Sequence, residues 1–238
     1  MSPDTRSLSH FGRLFGSRSR RSSETLGPTE STSNVKPLFP LPAEALVGVR
    51  GESYYPAAVR ELTRNGAREL SALTLVSGVA ADVAQREPSR KLRWFDAQLI
   101  PEPDNPYDAN AVAVISPHGQ VGHLPRESAS GYAALFQMLR KLGYSGAACP
   151  AFLDVRTKSV VLVLSHPTFC MPAVSAERRE RAWEAWHANS DLGAAAATLG
   201  FKDVSTLLKG ARQHAKERGL PMPPTASELS KQEVAVVR

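Results

Sequence analysis

Short apolar runs dominate the middle of the chain, and they restrict its fold more than any other feature. Each run is about as long as a β-strand, contains β-branched or aromatic residues, and is bounded by Pro, Gly or polar residues. The runs cover residues 94–100, 111–115, 120–124, 151–155 and 160–164. Ser116-Pro-His-Gly119 joins the second run to the third and is typical of a hairpin turn. The pattern therefore predicts antiparallel β-structure rather than a helical bundle.

Two helices accompany these strands. Residues 57–64 follow Pro56, whose missing N–H is tolerated in a first helical turn. Residues 128–142 repeat apolar side chains at helical spacing and are followed by Gly143, a residue that favours helix ends. Further strands are predicted at 45–49 and 73–79, with a loop at 85–91. Several short strands with two helices predict a small, closed, barrel-like α+β domain.

Composition divides the chain further. Ser, Thr, Pro and Arg dominate the N-terminus, where apolar residues are too sparse to offset the entropy of ordering. After Pro172 the sequence becomes charged and Ala-rich, with helical character up to Pro221. The predicted divisions are a disordered basic tail at 1–42, a β-rich domain at 43–170, a helical domain at 175–221 and a disordered tail at 222–238.

The most informative segment is Glu102-Pro-Asp-Asn-Pro-Tyr-Asp-Ala-Asn110, which leads through a strand to Gln120-Val-Gly-His-Leu124. Upstream, Val49-Arg-Gly-Glu-Ser-Tyr-Tyr55 combines a Gly with an aromatic pair. Together these elements resemble the HIRAN domain, in which Asn-Pro-Tyr-Asp and Asn-Ala precede one strand and a Val-Gly-His/Tyr-Leu strand follows. The resemblance covers about residues 44–166, and the stretch 65–93 is longer than the family's usual connection.

The resemblance implies an OB-like or SH3-like β-barrel with flanking helices, here followed by a small all-α, helix-turn-helix-like domain. In the eukaryotic fork-remodelling helicases that carry a HIRAN domain, it captures the 3′ end of single-stranded DNA. This sequence has no Gly-x-x-x-x-Gly-Lys-Ser/Thr phosphate-binding loop, so we do not expect it to act as a helicase by itself.

Seven residues are the candidates for DNA binding that this resemblance implies. Aromatic rings stack on bases, and a carboxylate accepts from a terminal 3′-hydroxyl while it repels a continuing phosphodiester. Amide, imidazole and guanidinium groups donate to phosphates. The candidates are Tyr54, Tyr55, Asn105, Tyr107, Asp108, His123 and Arg126.

Several of these residues also have a purely structural interpretation. Asn105 and Asp108 can tie back to their own backbone in a turn, and Asn110 fits that role better than a binding role. If Tyr54 and Tyr55 lie on a strand, they point to opposite faces, so we expect one to bind and one to pack. His123 can equally be a partly buried histidine satisfied by protein partners.

The C-terminal helices resemble a helix-turn-helix. A leading helix at 176–189 contains Trp183 and Trp186, which we expect to pack in a core, and Asp191 and Asp203 are predicted N-caps of the next two helices. A major groove would meet the polar face of the last helix, formed by Lys202, Ser205, Lys209 and Arg212. The alternative is a helical hairpin that packs on the barrel or on a protein partner.

Charge and cysteine content add weaker constraints. The net charge is +6, from 29 Lys and Arg against 23 Asp and Glu, and half of it lies in residues 1–42. Cys149 and Cys170 are too few for a disulfide framework or a Cys-type zinc site. No apolar run reaches membrane-spanning length, and no secretory signal is recognisable. We therefore expect a cytoplasmic protein, nucleoid-associated if bacterial, without membrane contact.

The sequence thus predicts a non-enzymatic DNA-binding protein that acts on single-stranded DNA, at 3′ ends, in repair or processing. It needs no cofactor, metal or catalytic residue, and the C-terminal helices offer a surface for a protein partner. One alternative is a protein-interaction adaptor. A second is a metal-dependent nuclease or hydrolase, suggested by the acidic run Glu102, Asp104 and Asp108.

Overall fold

The computed structural model describes residues 37–66 and 91–229, together with Val79, Asp82, Val83 and Gln85. These residues belong to one compact unit, Lys36–Arg238. Most of the strand predicted at 73–79 lies outside the described residues, as do most of the loop predicted at 85–91 and the connection 65–93. Val79 and Gln85, which are described, are helical rather than strand and loop.

Five strands form the main sheet, in the spatial order β7-β6-β3-β4-β5. All neighbouring pairs among them are antiparallel. The strands are β3 (Leu92–Pro101), β4 (Val112–Ser116), β5 (Gly119–His123), β6 (Gly146–Asp154) and β7 (Val160–Val163). The predicted hairpin is confirmed, since β4 and β5 are joined across Ser116 and Gly119.

One short segment joins the two edges of this sheet. Strand β2 (Leu46–Gly48) pairs antiparallel with β7, and the Val49 N–H donates to Val160 O at 3.0 Å. The next residue, Arg50, exchanges two backbone hydrogen bonds of 2.9 Å with His123 at the opposite edge. The sheet therefore curls round and closes in the barrel-like form that the sequence predicts.

Closure depends on a glycine. Gly122 in β5 has φ +155°, and a Cβ atom there would lie 2.5 Å from the Arg50 carbonyl oxygen. Any side chain at this position would push residues 46–50 away from β5.

A further strand lies within the range predicted to be disordered. β1 (Leu38–Pro40) pairs in parallel with the first half of β6, and Phe39 and Leu41 are buried. The prediction of a disordered tail at 1–42 is therefore wrong for residues 38–41, because the side chains of Phe39 and Leu41 are buried in the core. Residues 1–36 of that tail lie outside the described residues.

Two helices cover the barrel and complete its core. α1 (Pro56–Asn65) begins with proline in its first turn and buries Val59 and Leu62. α2 (Arg126–Lys141) buries Tyr132, Leu135 and Leu139, among other side chains, against the strands. Both helices match their sequence predictions within two residues.

A long helix links the barrel to the C-terminal helices. α3 (Pro167–His187) buries Cys170 and Val174 in the barrel core and Ala182 in the helical core. It begins nine residues before the predicted start at 176, and it crosses the predicted boundary near residue 170. Pro172 lies within its first two turns. Among the described helices, none combines the length and apolarity needed to cross a membrane.

Two shorter helices pack on α3. α4 (Leu192–Thr198) and α5 (Val204–Arg218) each begin directly after a predicted N-cap, and Asp191 and Asp203 cap them as expected. Trp183 and Trp186 pack against the helical core, as predicted. Residues 226–229 are also helical, and Ala226 and Leu229 contact this core, so the prediction of a disordered tail at 222–238 is wrong there.

Candidate nucleic-acid interface

The loop between β3 and β4, residues 102–111, is held in shape by its own polar side chains. Asn105 Oδ1 accepts from the Tyr107 N–H at 3.0 Å, and Asp108 Oδ1 accepts from the Asn110 N–H at 2.9 Å. Each hydrogen bond closes a local turn of the kind that Asn and Asp side chains characteristically form. The structural roles that the sequence allows for Asn105 and Asp108 are therefore present, and the backbone of Asn110 takes part.

The second carboxylate oxygen of Asp108 reaches a cation on another element. Arg126, the first residue of α2, places its Nε 3.2 Å from Asp108 Oδ2. The Arg126 side chain is 79% exposed, whereas that of Asp108 is only 19% exposed. Asp108 thus anchors one edge of the guanidinium and leaves its other N–H groups directed to solvent.

A second polar cluster lies beside the first. Glu102 Oε2 accepts from the Asn105 side-chain amide at 3.0 Å and lies 3.0 Å from His123 Nε2. A carboxylate can only accept, so this contact is a hydrogen bond in the tautomer that carries a proton on His123 Nε2. The Gln120 amide nitrogen lies 3.1 Å from the same imidazole atom. The cluster links the 102–111 loop to β5.

Sequence reasoning missed Glu102 and Gln120 as members of this site. The strand register explains the position of Glu102, since Ile100, Ala113 and His123 lie opposite one another across β3, β4 and β5. Glu102 is two residues beyond Ile100 and so projects from the same face towards His123.

The tyrosines differ in exposure. Tyr54 is 83% exposed and Tyr107 is 89% exposed, whereas Tyr55 is partly buried with its ring centroid 6.1 Å from that of His123. The packing of Tyr55 agrees with the expectation that one of the two tyrosines packs and the other binds, and binding by Tyr54 stays a prediction. The reason for that expectation is wrong, because Tyr54 ends a short 3-10 helix (Glu52–Tyr54) and does not lie on a strand.

All seven barrel residues predicted from the sequence lie on elements that contact one another or adjoin in the chain. Asn105, Tyr107 and Asp108 share one loop, and Arg126 and His123 contact that loop through Asp108 and Glu102. Tyr55 joins them through His123, and Tyr54 is its chain neighbour. Exposed aromatic faces beside hydrogen-bond donors can hold a stacked base and a phosphate together.

The two cysteine thiols, unlike Tyr54 and Tyr107, are buried. Burial raises the pKa of the Cys170 thiol to about 11 and that of Cys149 further still. Both thiols therefore stay protonated near neutral pH. Within the described ranges, no group of three or more His, Cys, Asp or Glu side chains is arranged to hold a metal ion.

The predicted duplex-binding face on the C-terminal helices is only partly free. Lys202 and Lys209 are exposed and Ser205 is half-buried. Arg212 is half-buried, and its guanidinium donates to the Pro223 carbonyl. The C-terminal segment therefore already binds one of the four side chains.

Comparison with known proteins identifies part of this fold. The family model of the HIRAN domain matches residues 86–144. No curated protein and no solved structure gives a significant match to the chain. The matched residues run through β3, the 102–111 loop, the β4–β5 hairpin and α2, so they include the Asp108–Arg126 pair and His123. HIRAN domains are associated with nucleic-acid binding in a general sense, and residues 86–144 of this chain form a HIRAN domain.

Proposed function

We propose that the barrel binds the 3′ end of single-stranded DNA. The observation that carries this proposal is the pair of exposed tyrosines, Tyr54 and Tyr107, on segments that also carry or adjoin a cluster of charged and polar groups. Single exposed aromatic residues are ordinary on protein surfaces. Two of them beside an anchored arginine and a histidine make a surface suited to stacked bases and phosphates.

The tyrosines supply sequence-tolerant affinity. Every base has a π-face, and base–aromatic stacking contributes about 1–3 kcal/mol per base. Tyr107 lies on the loop that carries Asp108, so a base stacked on it is held close to that carboxylate.

Asp108 and Arg126 together make the site prefer a 3′-hydroxyl end to an internal stretch of the strand. Asp108 already accepts from Asn110 and pairs with Arg126, and its remaining lone pairs suit a hydroxyl donor. A phosphate in the same place would meet a carboxylate at short range. Arg126, which Asp108 anchors, can then hold the last internucleotide phosphate through its exposed N–H groups.

His123 and Asn105 are the remaining contacts. Both are tied to Glu102, which fixes their orientation and lowers the entropy lost when DNA binds. The proposed function has no catalytic step and requires no cofactor. DNA incubated with the protein and Mg²⁺ or Mn²⁺ should remain intact, and cleavage would instead favour the nuclease alternative.

The C-terminal helices are proposed to contact duplex DNA next to the single strand. Lys202, in the turn between α4 and α5, and Lys209, on α5, are both exposed, and α5 would serve as the recognition helix. Two linked modules would favour a junction through effective concentration, as DNA repair or processing requires. Lys202→Gln with Lys209→Gln should then weaken binding to tailed duplex and leave binding to single strands unchanged.

A binding series in salt tests the proposal. We expect single-stranded and 3′-tailed DNA to bind more tightly than blunt duplex, with affinity that falls as salt rises, because phosphate contacts release counterions. Affinity that ignores ionic strength would contradict the proposal and favour a protein-interaction adaptor.

A further inference from the structure

A second charged surface lies beside the tyrosines. A groove of about 530 Å³ runs between α1, the 3-10 helix Glu52–Tyr54 and the turn that joins β6 to β7. Arg60 and Arg64 line it from α1, and Lys158 lines it from the turn. We refer to this surface as the basic groove.

The cations of the basic groove are available to a ligand. Arg60 and Arg64 are one helical turn apart and exposed, and neither pairs with an acid in the part of the chain that the structure describes. Lys158 has φ 60°, and its Nζ donates to Thr63 Oγ1 at 3.3 Å, between the two arginines along the helix. Three positive charges therefore face one cavity.

The other polar groups of the groove suit phosphate oxygens. Ser53, Thr157 and Ser159 contribute hydroxyl groups to its lining. The carboxylate that lines it belongs to Glu52, whose Oε1 accepts from the Val160 N–H at 3.2 Å. Glu52 is thus occupied in part by the backbone, and the groove keeps an excess of positive charge.

The groove also continues from the proposed DNA-end site. Glu102 contacts both Asn105 and His123, and His123 contacts Tyr55. Tyr55 and the exposed Tyr54 directly follow Ser53, which lines the groove. Contacts therefore link the 102–111 loop to Tyr55, and the chain leads from Tyr55 to Ser53, which lines the same groove as Arg60.

We propose that the basic groove binds the phosphates of the same DNA strand, on the 5′ side of the end held near Asp108. This inference rests on the proposed function and extends it, because it assigns the direction of the strand and a second phosphate subsite. Single-strand sites on barrels of this size span about 4–16 nucleotides, which is more than the end site alone would contact.

The test compares oligonucleotides of about 3 and about 12 nucleotides, both with a 3′-hydroxyl, on the full chain. Wild-type protein should bind the longer one more tightly. The double variant Arg60→Gln with Arg64→Gln should lose most of that advantage, and its binding of the short oligonucleotide should not change. The slope of log affinity against log salt should shrink by about 0.7 for each phosphate that the variant no longer neutralises.

A matched control removes the same charge elsewhere. Lys216→Gln with Arg218→Gln takes two exposed cations from the last turn of α5 and should leave both affinities unchanged. A second control changes the DNA. Neutral methylphosphonate linkages in the 5′ half of the long oligonucleotide should abolish the difference in affinity between wild type and the α1 double variant.

The outcomes separate the two claims. If wild-type protein does not bind the short 3′-hydroxyl oligonucleotide, the proposed function fails and this inference with it. If it binds the short one, but length gives no advantage or the α1 double variant keeps that advantage, the groove inference alone is overturned.

Discussion

The barrel and the C-terminal helices use the same kinds of residue in opposite ways. In the barrel, Tyr54 projects into solvent from a short 3-10 helix and Tyr107 from the 102–111 loop. In the helices, Trp183 stacks on His187 with ring centroids 4.7 Å apart, and its Nε1–H donates to the Pro221 carbonyl at 3.1 Å. These two barrel tyrosines are exposed to solvent, whereas Trp183 holds the helical region together.

Polar side chains show the same contrast. Arg178 donates to the carbonyls of Leu199 and Gly200 and lies 3.8 Å from the Phe201 ring centroid, so it caps α4 and holds the turn that follows. Arg126, by comparison, makes one ion pair and stays 79% exposed. The difference shows that the proposed binding surface is distinguished by the joint exposure of aromatic and cationic groups and not by their presence alone.

The largest expected effect is a loss of stability when the core of the C-terminal helices is disturbed. Leu207 of α5 is fully buried, so Leu207→Ala should lower the free energy of unfolding by about 2–5 kcal/mol, because it leaves a cavity. Chemical denaturation measures this loss. Single-strand binding below the unfolding transition should be unchanged, and weakened binding there would show that the two regions are coupled.

A substitution that disturbs closure of the barrel should lower both stability and affinity for single-stranded DNA. Gly122→Ala places a methyl group against the Arg50 carbonyl and should cost about 1–3 kcal/mol of stability through overpacking. It should also weaken single-strand binding, since His123 adjoins Gly122 and contacts Tyr55. Denaturation and DNA titration of the same sample measure the two effects. Wild-type stability in this variant would contradict the described closure.

Stacking of a base on Tyr107 is a property of the barrel alone. Tyr107→Ala should weaken single-strand binding by about 1–3 kcal/mol, because a stacked base loses its platform. Stability should be unchanged, since the side chain is 89% exposed. Tyr107→Phe is the matched control and should bind almost as well as wild type. If alanine also leaves the affinity unchanged, Tyr107 does not stack on DNA.

The smallest expected effect is a pH dependence of the helices. The hydrogen bond from the Thr206 N–H holds the pKa of Asp203 below its ordinary value of 3.8. A carboxyl with a lowered pKa in the folded state stabilises that state above its ordinary pKa, and this contribution is lost as pH falls through the lowered value.

Asp203→Asn keeps a hydrogen-bond acceptor at this cap but does not titrate. The melting temperature of wild type, followed by helical circular dichroism, should therefore fall towards that of Asp203→Asn as pH is lowered to about 2. A constant difference between the two across this range would show that the Asp203 charge adds nothing to the cap.

Local signals in the sequence predicted much of this fold. The turn Ser116–Gly119 predicted the hairpin, and the helix caps at Asp191 and Asp203 predicted α4 and α5 because each acts within one turn. β1 was missed because three residues carry almost no periodic signal, and they become ordered only through pairing with β6.

The site was predictable to a similar degree. The motif around Asn105 indicated the loop and its turns, since those contacts lie within three residues. The Asp108–Arg126 and Glu102–His123 contacts join different elements, so the local sequence does not specify them. The helical start at 167 was missed because Pro172 suggests an end, yet α3 continues through this proline, which removes one backbone hydrogen bond from the helix.

Discrimination between two DNA ends tests the central claim most directly. Affinities of the wild-type protein are measured for two short oligonucleotides that differ only in a 3′-hydroxyl or a 3′-phosphate, at one salt concentration. The account predicts that the phosphate-ended strand binds at least about tenfold more weakly, because its added charge meets the Asp108 carboxylate. Asp108→Asn should reduce that ratio. Equal affinity of wild-type protein for the two ends would contradict recognition of a 3′ end by Asp108.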